Sequence, residues 1–361
     1  LIRLISILGG AALALLVAGT FLPLLRSDAW WIRMLDFPRM QIAAGIVITW
    51  ALMALAGGLR GAAGRWLSVL AVVALAVQGM RLWPYQPLAA PMAPLAQTCA
   101  EPDRLRVLVA NVRRDNRHAP EVLAMVRRHA PDIFLALETN TWWNEALAPL
   151  EQDYPGHIFD MPQDATYYGM HLFSAYPLED AEMRYPFGTD TPLLVSRIAH
   201  PSGTFRFFGV HPRPPQRGQS TTMRDAIILE AAIEAGEGDS PAIVAGDLNA
   251  TSWERTARRA LRLGQLADPR TGRGPMVSFD AKSAWMKWPL DQIYFQTGFA
   301  LSAFEVLPVI GSDHYPVMAD LCIEEGGTLT LRAPKADDLG IARETISRAR
   351  ALPGAAPSAE E

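Results

Sequence analysis

Cysteine is scarce in this chain: two of 361 residues, Cys99 and Cys322, too few for a disulfide-built scaffold. The first hundred residues contain seven Arg and two Asp but no Lys, no Glu and no His. No internal repeat and no GxGxxG dinucleotide fingerprint occurs. Excess positive charge is missing from the region that carries all seven histidines. Residues 101–323 hold 21 Arg plus Lys against 28 Asp plus Glu, a formal charge of −7. Affinity for polyanions comes from neutralising phosphates, so this balance argues against a generic nucleic-acid binder, although a local basic patch stays compatible with it.

What the N-terminal hundred residues do contain is long apolar runs. Residues 4–25 and 40–59 are uncharged between flanking arginines, and each approaches the roughly 20 residues that a helix needs to cross a bilayer core. Residues 66–80 are shorter and reach a full span only if Arg81 snorkels and Trp83 and Tyr85 sit at the interface. Trp30, Trp31 and Trp66 complete an aromatic belt. A cleaved signal peptide fits the first run less well, because two more apolar runs follow and no small-residue cleavage site comes directly after it. About three membrane helices over residues 1–85 are therefore expected. They carry no internal Asp, Glu, His or Lys for a transporter to couple to, so an anchor is the simpler reading. Arginines flank both sides, and the positive-inside rule gives no clear orientation.

Residues 86–103, rich in Pro and Ala, read as a linker. Then the pattern alternates. Strands are expected at 105–112, 132–139, 167–177, 192–200, 205–212, 241–248, 290–297 and 315–323. Helices are expected at 119–131, around 143–150, at 219–236 and at 252–263. Interleaved strands and helices indicate an α/β domain over 104–324, with mixed sheets because some strands follow one another directly. Residues 325–361 read as a largely disordered tail with one helix near 336–350. Cys99 precedes the first strand of this domain and Cys322 ends the last. If those strands are neighbours the two can form a disulfide, which needs an oxidising compartment; otherwise they are two unrelated thiols.

One feature recurs along the domain: strands end or begin on residues capable of metal or phosphate chemistry. Asn111 ends "LVAN", Glu138 ends "LALE", His211 ends "FFGVH", Asp247 and Asn249 end "IVAGDLN", Asp291 opens "LDQIYF", and Asp313 and His314 precede "YPVMADL". Singly, each has a plainer reading as a turn residue or a structural histidine. Glu138 is less easily explained that way, because a carboxylate closing an apolar run is costly unless paired or metal-bound. In α/β sheets, sites gather at strand ends.

In this order, with "YG…S.YP", "GDLN", "LDQI" and "SDHYPV", the residues resemble the endonuclease/exonuclease/phosphatase superfamily, which includes pancreatic-type deoxyribonucleases, apurinic endonucleases, inositol polyphosphate phosphatases and neutral sphingomyelinases. The resemblance spans about 104–323, and "GDLN" with "SDH.PV" is its specific part. It implies a four-layer α/β sandwich, two packed mixed β-sheets flanked by helices, here preceded by the transmembrane region. It also implies a divalent-metal-dependent phosphoesterase that acts by in-line attack of an activated water. Glu138, Asn111 and Asp313 would serve Mg²⁺, or Mn²⁺ in its place. Asp247 would activate the water, and Asn249 would hold it or a phosphate oxygen. His211 and His314 would donate to the phosphate, Asp291 would orient His314, and Tyr168, with Tyr167 as a competitor, would contact the phosphate. Asp115 and His171 lie near motif positions without an assigned role.

The sequence also departs from relatives. Arg113 stands where apurinic endonucleases place an acidic residue, which weakens the case for two metals. "HPRPP" resembles bacterial membrane-attached members, and Arg213 within it is either a phosphate contact or a solvated loop charge. The expected protein is an integral, multi-pass protein of a bacterial inner membrane with its catalytic domain on the extracytoplasmic side. It would act on a lipid head group, a small phosphoester or nucleic acid. The alternative is a membrane-tethered, non-catalytic phosphate-ligand binding or scaffold protein with the same fold.

Overall fold

The computed structural model describes residues 2–161, 168–188, 191–324 and 328–353, with side chains from Ser6 onward. The chain divides into two compact units, residues 1–89 with 215–221, and 90–214 with 222–361.

The first unit is helical: α1 (Ile2–Phe21), α2 (Trp30–Met34), α3 (Arg39–Leu55) and α4 (Ala62–Leu82). Among the described residues two apolar helices are long enough to cross a membrane by length and composition, over Ser6–Leu24 and Ala62–Tyr85, whereas Arg39–Leu55 is shorter. The sequence ranked the second and third runs the other way round. The chain leaves α3 at Ala56, where Gly57 takes a φ of +71°, and α4 starts early enough to take in Gly64 and Arg65. The helices bury an apolar core of Leu13, Val17, Ile42, Ile46 and Met53, and apolar side chains also lie on their outside. Leu15, Leu55 and Trp66 are exposed, while Thr20, Asp36, Arg39 and Gln78 are buried. Arg39 donates to Asp36 at 2.7 Å and to Gln78 at 3.0 Å, and Gln78 donates to Thr20 at 3.0 Å, so polar groups hydrogen-bond one another across the helices.

Among the described residues the second unit holds eleven strands. In chain order they are β1 (Arg104–Asn111), β2 (Ile133–Thr139), β3 (Gly156–Asp160), β4 (Gly169–Ser174), β5 (Leu178–Arg184), β6 (Leu193–His200), β7 (Gly203–Val210), β8 (Ala242–Asp247), β9 (Asp291–Phe295), β10 (Phe299–Val306) and β11 (Val317–Ile323). Its helices are α5 (Ala119–His129), α6 (Thr141–Leu147), α7 (Thr222–Glu237), α8 (Arg255–Leu263) and α9 (Asp338–Arg350). One sheet has the order β10-β11-β1-β2-β4-β3 and the other β5-β6-β7-β8-β9, with β1/β2 and β7/β8 parallel and the other pairs antiparallel.

Alternation along the strands builds the layers. In β1, Val107 and Val109 enter the core shared by both sheets, while Leu108 and Ala110 point outward to pack with Val122 and Val126 of α5 and Trp143 of α6. In β8, Ile243 and Ala245 face the shared core and Val244 faces Ile228 and Ala232 of α7. The result is the expected four-layer sandwich.

Three strands were not expected: β3, β5 and β10. All are sheet edges. An edge strand need not be apolar on both faces, and "LEDAEMR" of β5 is largely exposed or half-buried, so it carries no buried-strand signature. Cys99 and Cys322 form a disulfide, beside the antiparallel pairing of Arg104 with Cys322.

The segments expected as linker and tail pack onto this unit. Met92 and Ala93 are buried in the shared core, Met92 N donates to Thr271 at 2.8 Å, and Thr330 N donates to Met92 O at 2.7 Å. Beyond 325–327, which lie outside the described residues, Leu329 and Leu331 also pack against that core. Ala342, Ile346 and Ala349 of α9 join the core formed with α7, and Asp338 is clamped by Arg262 at 2.6 Å and Arg259 at 3.1 Å.

Candidate active site

The polar strand ends converge at one end of the sandwich. Parallel pairing aligns the C-terminal ends of β1 and β2, which brings Asn111 and Glu138 together: Asn111 Nδ2 donates to Glu138 at 2.8 Å. From the other sheet, β8 ends on Asp247 opposite Asp291 of β9, and Asn111 Nδ2 also reaches Asp247 at 3.3 Å. Gly246 makes that end of β8 possible. Its φ is +141°, and a Cβ there would lie 2.0 Å from Val210 O.

Asp247 lies between two histidines. His211 Nε2 is 3.8 Å and His314 Nε2 3.6 Å from its Oδ2. The loop after β8 folds back, with Asn249 at φ +48°. Its backbone N donates to Asp247 at 2.9 Å and its side chain donates to Pro212 O at 3.0 Å, which ties "GDLN" to the end of β7. His314 Nδ1 pairs with Asp291 Oδ2 at 2.8 Å, and its ring lies 4.7 Å from that of Phe279. Tyr168 packs on His211 with ring centroids 5.4 Å apart; Tyr167 lies outside the described residues.

The electrostatics divide the two histidines. Burial opposes charge on His314, but Asp291, Asp247 and Glu138 outweigh it and raise the pKa to about 10, so the ring is an imidazolium at neutral pH. Burial lowers His211 to about 4 despite Asp247, so that ring is neutral. Burial raises Glu138 to about 7, opposed by the Asn111 hydrogen bond and by His314 and reinforced by Asp247 and Asp313. Burial likewise raises Asp247.

A buried group of carboxylates with raised pKa values suits a divalent cation, which would compensate their charge. Asp247 and Asp291 present carboxylate oxygens that lie, with a ring nitrogen of His314, within 4.8 Å of one another; the protonated ring donates and does not ligate, which leaves the two carboxylates as candidate ligands. Glu138 adjoins this group through Asn111 and, among the described residues, has no ion pair with Lys or Arg. His211 Nδ1 and Asp291 Oδ1 are buried without a hydrogen-bond partner among the described residues, as expected where a ligand completes the site.

Two residues assigned to the metal stand differently. Asn111 turns its amide nitrogen, not its oxygen, toward Glu138 and Asp247, while its Oδ1 accepts from Arg113 N at 3.0 Å; it acts here as the donor that holds two carboxylates together. Asp313 is half-buried, with Arg113 at 3.7 Å and Lys282 at 3.9 Å, at the rim rather than among the clustered donors. Arg113, at φ +60°, therefore takes part in the rim. Arg213 is half-buried, two residues past His211. His171 is structural: it bonds Thr139 at 2.9 Å and Asn144 at 3.0 Å, and burial lowers its pKa to about 3. Asp115 pairs with Arg114 at 3.5 Å.

Supporting residues went unrecognised in the sequence. Ser278 Oγ accepts from the backbone of Leu290 and Asp291 at 3.1 and 3.0 Å, and Ser312 Oγ accepts from His314 N at 3.1 Å. Arg224 of α7 is buried, donates to Asn249 O at 2.9 Å and to Asp225, and pairs with Glu254. In the sequence Arg224 looks like any helix arginine; the one available signal was that it and Glu254 flank "GDLN" at a distance.

Comparison with known proteins agrees with this geometry. The model of the Endonuclease/Exonuclease/phosphatase family matches residues 108–314. No curated protein matches the chain. Among solved structures, humanized D. rerio TDP2 is similar at a TM-score of 0.52 and 17% identity, over 61% of this chain and 99% of that one. D. rerio TDP2 complexed with a single-strand DNA product gives 0.51 and 14%, over 60% and 98%. The human nocturnin catalytic domain with bound sulfate gives 0.52 and 16%, over 63% and 96%. At these identities the likeness concerns the fold.

Proposed function

The chain belongs to the endonuclease/exonuclease/phosphatase family, a family of metal-dependent phosphoesterases, and from that premise we propose that it is a membrane-anchored hydrolase whose water attacks a phosphoester in line. The observation that carries this reading is Asp247 placed between a neutral His211 and a charged His314, next to Glu138.

In the proposed reaction Asp247 accepts the proton of the attacking water. Its orientation comes from Asn249 N and Asn111 Nδ2. The new bond forms between water oxygen and phosphorus as the bond to the leaving oxygen breaks. His314, held by Asp291, donates through Nε2 to a phosphate oxygen as negative charge builds, and neutral His211 donates a second hydrogen bond. Asn249 and Tyr168 border the phosphate. Glu138, with Asp247 and Asp291 near it, would hold Mg²⁺ or Mn²⁺. When bound, the ion supplies charge stabilisation to the phosphate oxygens. Asp313 would support the site from the rim.

Membrane attachment is supported by the two long apolar helices and by apolar side chains turned outward over buried polar ones. The Cys99–Cys322 disulfide favours an extracytoplasmic catalytic domain.

Asp247→Ala and His314→Ala should each lower Mg²⁺-dependent hydrolysis of bis(p-nitrophenyl) phosphate by about 10²–10⁴-fold with unchanged circular dichroism. EDTA should stop the wild-type reaction and Mg²⁺ should restore it. Full activity in both variants, or indifference to EDTA, refutes the proposal.

A further inference from the structure

Among the described residues of the catalytic unit, five large apolar side chains are exposed: Leu95, Phe159, Trp285, Val309 and Leu339. Trp285, at 69%, is the most exposed of them. It sits on the segment between Phe279 and Trp288, which is tied to the active-site rim: Ala281 N donates to Asp313 O at 2.7 Å, Lys282 Nζ is 3.9 Å from Asp313, and Phe279 packs on His314. The segment is a built turn rather than a loose loop. Asp280 accepts from Lys282 N at 2.7 Å, and Ser283 Oγ accepts from Met286 N at 2.9 Å.

The chain has three lysines, and two of them, Lys282 and Lys287, bracket Trp285. Lys287 donates to Tyr315 Oη at 3.0 Å, and Tyr315 directly follows His314. Lys287 and Tyr315 also line a largely apolar groove of about 560 Å³ with Met276, Val306, Leu307 and Pro308, and Val309, next in the chain, is exposed. One mouth of the site thus combines a protruding indole, two ammonium groups and an apolar groove.

We propose that this mouth, with Trp285 at its tip, docks on a lipid surface bearing anionic head groups and takes an amphiphilic phosphoester from that surface. An indole settles where apolar and polar media meet, and lysines beside it extend toward anionic head groups while their stems lie on apolar surface. Nucleic acid is the weaker match: its affinity rests on neutralising many phosphates, for which two lysines are few, whereas an apolar groove beside an exposed indole suits the acyl region of a lipid surface. The inference rests on the proposed phosphoesterase only for the nature of the ligand taken; the docking itself is independent of turnover.

The test uses the full chain. Both native cysteines are disulfide-bonded, so a single cysteine introduced by Ala284→Cys can carry a polarity-sensitive fluorophore, with Asp239→Cys as an exposed reference. Each protein is reconstituted with phosphatidylcholine alone or with equal parts phosphatidylcholine and phosphatidylglycerol. The expected result is a blue shift and loss of iodide quenching at position 284 with the anionic mixture, and neither change at 239. Lys282→Gln with Lys287→Gln should lower the docked-to-free ratio on the order of 30-fold, the sum of two lysines near an anionic surface. Co-flotation with lipid but an unmoved probe at 284 overturns docking and leaves the anchor standing; absence of co-flotation overturns both. A probe at 284 that answers to a single-stranded oligonucleotide and not to lipid also overturns it. Because no outcome uses turnover, a failure of the phosphoesterase reading would be seen separately, with bis(p-nitrophenyl) phosphate.

Discussion

His314 can serve as a charged donor because of Asp291. Buried alone it would be neutral, as His211 is; with Asp291 at 2.8 Å and Asp247 at 3.6 Å its pKa rises to about 10. Asp291→Asn should bring the His314 pKa down in an NMR titration and lower hydrolysis by about 10²-fold, whereas a merely structural Asp291 would leave that pKa in place. His171 gives the opposite case. Its folded pKa of about 3 lies below the ordinary value of 6.5, so its contribution to stability is complete above pH 6.5 and is lost as pH falls toward 3. Thermal unfolding of His171→Asn should therefore lose less stability than wild type between pH 6.5 and 4, where the wild-type slope from this residue is at most about 1.4 kcal/mol per pH unit.

At the scale of elements, the "GDLN" loop is held by α7 as well as by the ends of β8 and β7. Arg224 joins the Asn249 carbonyl to the carboxylates of Asp225 and Glu254, all buried. Arg224→Met removes a cation from two buried carboxylates and should cost about 3–5 kcal/mol in thermal unfolding. Arg224→Met together with Glu254→Gln should cost less than the sum of the two single changes. Which elements were legible follows the same physics. β1, β2 and β8 are buried on both faces and read as apolar runs, whereas the edge strands β3, β5 and β10 did not. α3 stops short of the end of its apolar run, before Gly57, and α4 begins ahead of its run, after Gly61.

At the scale of the molecule, the disulfide closes a loop between residues 223 apart in sequence and secures the chain entering β1 to the end of β11. Cys99→Ser with Cys322→Ser should cost about 2–5 kcal/mol of stability by restoring freedom to the unfolded chain. In cells, thiol-reactive labelling of the wild type should appear only after reduction; labelling beforehand would refute an oxidised pair in that compartment.

By itself the sequence determined the apolar N-terminal runs, the α/β alternation and the family motifs, because each is a local pattern: an uncharged run, a period, or a few residues at fixed spacing. Asp247, Asn249, His211, His314 and Asp291 were legible because they stand in such motifs at strand ends. Tertiary structure alone decided how they act. Charge on His314, neutrality of His211 and the donor role of Asn111 depend on neighbours brought in from other strands, and electrostatic energy depends on distance in space rather than along the chain. The same is true of the cysteine pairing, the Arg224–Glu254 brace, the packing of the linker and tail, and the rim on which Trp285 stands beside Asp313 and His314.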